Sequence, residues 1–244
     1  MEKLVFLVTL MVCCSGGSMF ESDVGHDQVD LFESMFTFPG ETNTTHVRVN
    51  PESTQTSINT TTVCLRFFTD SCGSSSLFSL ASPEQANSLL LWRDEPNVYY
   101  VLVNNQALRF PGLKSELNQW NSICATWETT TGLAQVWLNS KPSPRKSVSP
   151  GYRIDGVPSI VLGQEQDSYG GSFDAAESFV GSLTDVYMWN SVLSPKEIQY
   201  YMTGVVVRPG NVVDWRHIVF NRTDAVVEET SVLGFAQDCS HGMS

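Results

Sequence analysis

From residue 61 to about 222 the chain is written in short runs rich in β-branched and aromatic residues, each closed by turn formers. The segments 62–68, 88–92, 99–103, 134–138 and 179–189 are of this kind, and 35–39 offers an opening strand before them. Such runs bury one face each and must pair into sheets. In the last of them Leu183, Asp185 and Tyr187 share one face by simple alternation, with Thr184, Val186 and Met188 on the other. Only one stretch starts like a helix. Ser194-Pro195-Lys196-Glu197 supplies an N-cap, a proline at the first helical position and a capping-box glutamate. Ile198, Tyr201 and Met202 then recur at helical spacing up to Gly204. Many strands and a single late helix predict an all-β, two-sheet antiparallel sandwich with one short α-helix, in one domain.

The N-terminus reads as an export signal. Lys3 is followed by an apolar run from Leu4 to Cys14 and then by small residues to Ser18, so 1–18 is expected to be a signal peptide. That run is too short to span a bilayer, and no later run is long enough, so no membrane span is expected. Removing it leaves Cys64, Cys72, Cys124 and Cys239, with no C-x-x-C and no histidine at zinc-finger spacing. Disulfides in an extracellular compartment are the expected use, and spacing alone leaves three pairings open. Asn43, Asn59 and Asn221 open N-x-[ST] triplets and are candidate glycosylation sites.

Charge narrows the partners. The 26 acidic residues outnumber the 14 basic ones for a net charge of −12. Nucleic acid and anionic bilayers are repelled at long range, while divalent cations are attracted. The carboxylates concentrate in 163–177, where Glu165, Asp167, Asp174 and Glu177 have no basic residue among them. Glu165 and Asp167 point to the same side of an extended backbone, and Gly170-Gly171 lets the chain return with Asp174 and Glu177. Calcium needs six to eight oxygens, which such a loop can begin to supply. A solvated acidic loop is the plainer alternative. The EF-hand register is absent.

The run 160–171, Ile-Val-Leu-Gly-Gln-Glu-Gln-Asp-Ser-Tyr-Gly-Gly, resembles the calcium loop of the pentraxin family. Val63-Cys64-Leu65-Arg66-Phe67, Leu77-Phe78-Ser79, the 189–198 stretch and Asn211-Val212-Val213-Asp214-Trp215-Arg216 resemble other pentraxin segments in the same order. The family's H-x-C-x-[ST]-W-x-S pattern falls on 122–129, with Cys124, Thr126 and Trp127 kept and Ser122 and Thr129 substituted. The resemblance covers 31–228, leaving 19–30 as an N-terminal segment and 229–244 as a tail. It implies a lectin-like jelly roll, a Cys64–Cys124 disulfide and a cyclic, usually pentameric, homo-oligomer. It also implies Ca²⁺ as cofactor, held by Glu165, Gln166 through its carbonyl, Asp167, Asp174 and Glu177, with phosphate- or carbohydrate-bearing ligands completing the coordination. The expected role is therefore a secreted, calcium-dependent pattern-recognition protein of the innate-immune, acute-phase type.

Departures from the family are concentrated in the second calcium position and the ligand pocket. The Asp-Asn pair ahead of Trp92 aligns with Gln85 and Ala86, and Asn87 can substitute only by a one-residue slip. The aromatic under the ligand's methyl groups aligns with Leu91, and the facing glutamate with Ala107. One well-formed calcium site per subunit is therefore expected. Cys72 and Cys239 are left to pair with each other or to bridge subunits. The rival is a laminin-G-like adhesion module with one calcium ion or none. No enzyme is expected: a glycosidase E-x-D-x-x-E would need a carboxylate at Gly170, and His26, His46, His217 and His241 are scattered. The six tryptophans are expected mainly in the core.

Overall fold

The computed structural model describes residues 28–51, 57–95, 97–205 and 208–231. The expected signal peptide and Cys239 lie outside them. Strands are numbered in chain order. The first sheet runs β11 (Lys141–Pro142), β10 (Leu133–Leu138), β9 (Asn121–Glu128), β4 (Thr60–Phe68), β15 (Gly181–Trp189), β1 (Ser34–Phe38), β17 (Val227–Thr230), with β12 (Lys146–Ser147) also on β10. The second runs β16 (Val219–Arg222), β2 (Val47–Asn50), β14 (Ser159–Leu162), β5 (Ser75–Ser82), β6 (Gln85–Glu95), β7 (Val98–Val103), β8 (Gln106–Pro111). A small pair joins β3 (Ser57–Ile58) to β13 (Ile154–Asp155). All ladders in both sheets are antiparallel, giving the expected jelly-roll-like sandwich. No helix among the described residues is long and apolar enough to cross a membrane.

Alternation along β4 explains the layering. Val63, Leu65 and Phe67 face the inter-sheet core with Phe36, Phe78, Tyr99 and Trp127, whereas Cys64 faces outward. On that outer face Cys64, Cys124, Trp137 and Trp189 receive Ile198, Tyr201 and Met202 of helix α1 (Pro195–Met202). The helix starts as its sequence predicts: Ser194 Oγ accepts from Glu197 N–H, and the Glu197 carboxylate accepts from Ser194 N–H. Arg66 pins the other end, donating to the Tyr201 carbonyl at 2.7 Å and pairing with Asp185 at 2.8 Å. Trp127, Trp189, Trp215 and Trp137 are buried, in keeping with the packing role expected of most tryptophans.

One alternation is overturned. Leu183, Val186 and Met188 all lie in the core, so the face changes within β15. Asp185 adopts φ 52°, and Asp185 and Val186 together stand opposite Leu65, because the register slips between Thr184 and Tyr187. That is a β-bulge, and one extra residue reverses the parity of everything after it.

The sheet edges carry charge and proline. β17 is exposed along its length with Glu228 and Glu229, and the opposite edge ends in Lys141 and Pro142. Cys64 and Cys124 are opposed in register and disulfide-bonded, with Cα atoms 4.1 Å apart. Cys72 is exposed and has no disulfide partner among the described residues. Closing a 60-residue separation stabilises by about 4 kcal/mol on the chain-entropy model. Replacing both cysteines by alanine is expected to lower unfolding stability by about 2–5 kcal/mol in a denaturant titration.

Candidate metal centre

The acidic loop leaves β14 through Gly163, whose φ of +85° only glycine adopts freely and whose back lies against the Phe38 ring. Two buried glutamine amides then fix the backbone. Gln164 Nε2 donates to the carbonyls of Thr42 and Thr45 at 2.5 and 2.9 Å. Gln166 Nε2 donates to the carbonyls of Ser79 and Ser159, and its Oε1 accepts from Gly170 N–H. Ser168 and Gly171 bond to each other across the reversal, as Gly170-Gly171 suggested. Arg48 closes the tip by donating to the Gly170 carbonyl at 2.7 Å.

This folding brings Glu165, Asp167 and Glu177 together, with a ligand oxygen from each lying within 4.8 Å of the others. None of the three is in an ion pair among the described residues. Asp174 is placed differently. It is exposed and caps the 3₁₀ turn Ala175–Glu177, with Oδ1 accepting from Ala176 N–H at 3.0 Å. Its charge still acts on Glu177. The Gln166 side chain is spent on anchoring, which leaves only its backbone for a ligand role.

Asn87 is the residue whose place the sequence left open. In the β5–β6 hairpin the register slips between Leu80 and Ser82, so Ala86, Asn87 and Ser88 stand opposite Ala81. This bulge carries Asn87 to Glu165, where Nδ2 donates to Oε1 at 3.0 Å. Asn87 Oδ1 is buried without a partner, and so is Glu177 Oε2. Unpaired buried acceptors beside carboxylates suit a cation, since each otherwise keeps its desolvation cost. Asn105 was missed. It shares the Asn104–Asn105 turn between β7 and β8, where both residues have positive φ. Asn105 N–H donates to the Asn87 carbonyl at 2.9 Å, and Asn105 Oδ1 accepts from Asn87 Nδ2 at 3.3 Å. An Asn-Asn pair between two β-type runs is a hairpin signal that could have found it.

Comparison with known proteins fits this frame. The model of the Pentaxin family matches residues 34–229. The chain belongs to the pentraxin family. It is 40% identical over 219 residues to C-reactive protein of Mus musculus, covering 88% of this chain and 92% of the relative. It is 38% identical over 200 residues to serum amyloid P-component of Rattus norvegicus, covering 82% and 86%. Among solved structures, a native heptameric SAP-like pentraxin from Limulus polyphemus superposes with a TM-score of 0.75 at 27% identity, over 84% of this chain and 98% of that one. Mouse laminin α1 domains LG4-5 reach a TM-score of 0.51 at 12% identity, over 86% and 51%, a likeness of fold alone.

The pentraxin ligand face needs one correction. Leu91 packs in the core, so it is not the residue on the outer face. Its neighbour Trp92 is half-buried on the opposite face of β6, paired in register with half-buried Tyr100 of β7. Trp92, rather than Leu91, is therefore the aromatic residue on the outer face of β6. Ala107 is exposed and offers no carboxylate.

Burial raises the Glu165 carboxyl above its ordinary range, the Asn87 hydrogen bond opposes that, and the Asp167 charge adds to it. Glu177 is pushed from 4.5 to about 7, first by burial and then by the charges of Glu165, Asp167 and Asp174. A carboxyl raised in the folded state binds its proton more tightly there than in the unfolded chain. Its neutral form therefore favours folding at low pH, and that advantage is lost as pH rises from about 4.5 through about 7. Calcium-free protein is expected to lose stability across this window relative to Glu177→Gln, and the two should converge below it. Thermal unfolding of both proteins at stepped pH reads the difference.

Proposed function

We propose that this pentraxin is a secreted recognition protein that uses calcium to bind anionic oxygens of phosphate- or carbohydrate-bearing ligands, in the manner of an innate-immune pattern receptor. The observation that carries the reading is the cluster of Glu165, Asp167 and Glu177, with Asn87 Oδ1 and Glu177 Oε2 buried and without a hydrogen-bond partner among the described residues. Glu165, Asp167, Glu177, the carbonyl of Gln166 and Asn87 Oδ1 are the proposed ligands, with Asp174 adding charge from the rim. Bound calcium supplies open coordination positions that a ligand oxygen fills.

The chain's own residues do the rest. Gln164 and Gln166 hold the loop backbone so that the carboxylates stay unspent. Trp92 and Tyr100 offer an aromatic surface on the outer face of the same sheet for the organic part of a ligand. The proposed role is binding. A cyclic homo-oligomer, pentameric by family resemblance, would align several such sites and convert weak single contacts into avidity.

Calorimetric titration of the mature protein tests this. Calcium is expected to bind, to lose its heat with Glu165→Gln, and to weaken about tenfold with Asn87→Ala. Phosphoethanolamine added in calcium should then change Trp92 fluorescence, and a Trp92→Phe variant should lose that change. Absence of binding at millimolar calcium would overturn the reading and leave the sandwich as an adhesion module.

A further inference from the structure

The connection between β1 and β2 is a loop, 39–46, that bends at Asn43. Thr42 Oγ1 accepts from Thr44 N–H at 2.9 Å and from Thr45 N–H at 3.4 Å. Asn43 is exposed, and no hydrogen bond among the described residues uses its amide. The turn is fastened to the acidic loop at both ends of that loop. The carbonyls of Thr42 and Thr45 take the Gln164 amide, and Gln164 immediately precedes Glu165. Thr42 N–H donates to Ser178 Oγ at 3.3 Å, and Ser178 immediately follows Glu177. His46 packs its ring on Phe173 at 4.8 Å, closing the same seam.

Asn59 and Asn221 are also exposed but lie elsewhere, at the bend before β4 and on β16. Asn43 alone sits on the turn that grips both chain neighbours of the paired glutamates. We propose that Asn43 carries an N-linked glycan that rims the acidic cluster, admitting protruding anionic groups and holding back broad, closely packed surfaces. The inference rests on the calcium reading above and adds a selectivity element to it.

The attachment chemistry is ordinary for an exported chain. The Asn43 carboxamide nitrogen bonds to the anomeric carbon of a polyisoprenyl-diphosphate oligosaccharide. The carbon–oxygen bond to the diphosphate breaks, the diphosphate leaves with its lipid, and the amide loses a proton. The Asn43-Thr44-Thr45 triplet supplies the acceptor sequence. The glycan is bulky and hydrated, so it acts by excluding volume rather than by contributing charge.

The test uses full-length protein secreted from a eukaryotic cell line, with peptide mass spectrometry across Asn43. Three forms are compared: the native protein, protein trimmed enzymatically to one N-acetylglucosamine, and Asn43→Gln. Calorimetry with soluble phosphoethanolamine reads the site, and calcium-dependent capture on beads densely coupled with phosphoethanolamine reads access. The expected result is an occupied Asn43, soluble affinity equal within about twofold, and bead capture rising about tenfold in the trimmed and Asn43→Gln forms. An unmodified Asn43 peptide, or bead capture unchanged by trimming, overturns the proposal while calcium binding stands. Absence of calcium binding in all three forms instead overturns the underlying function, and the screening role falls with it.

Discussion

Two uncharged side chains make the acidic cluster possible. Gln164 and Gln166 are fully buried, and between them their amides engage carbonyls from the β1–β2 turn, β5 and the start of β14. Had the loop been anchored by its own carboxylates, those oxygens would be spent on backbone donors. Instead Arg48, at the tip of the loop, binds the Gly170 carbonyl and the Ser159 hydroxyl and is in no ion pair among the described residues. The loop is thus held by dipoles and left with its charge. That separation of anchoring from charge turns a self-repelling segment into a poised one.

The poise has a measurable form in Glu177. Burial and three neighbouring carboxylates oppose its ionisation, and each opposing influence is one that a divalent cation would reverse. Glu177 is a carboxyl raised to about 7, so cation affinity and acidity are coupled at that position. With a net charge of −12 the whole molecule adds to the same field.

What the sequence disclosed followed from local patterns, and what it hid followed from bulges. The strand runs, the capping box at Ser194 and the 163–177 charge pattern each depend on a few adjacent residues, so they survive folding unchanged. A bulge leaves no comparable mark. The slip at Asp185 reversed the facing of Val186 and Met188, and the bulge opposite Ala81 brought Asn87 to Glu165. Both are set by register against a partner strand, so no run read by itself could place them. Asp174 shows a different limit. Its carboxyl was near the cluster by spacing, but capping the 3₁₀ turn drew it to the rim.

The charged and proline-bearing borders of the first sheet have a consequence for how copies meet. Glu228 and Glu229 along one border, and Lys141 and Pro142 along the other, make backbone-to-backbone annealing of neighbouring molecules unfavourable. Contacts at this sheet are thereby left to side chains rather than to strand addition. Strand addition along these borders would allow an open-ended ribbon, whereas side-chain recognition suits a closed particle that stops growing, and the borders of this sheet offer no template for fibres.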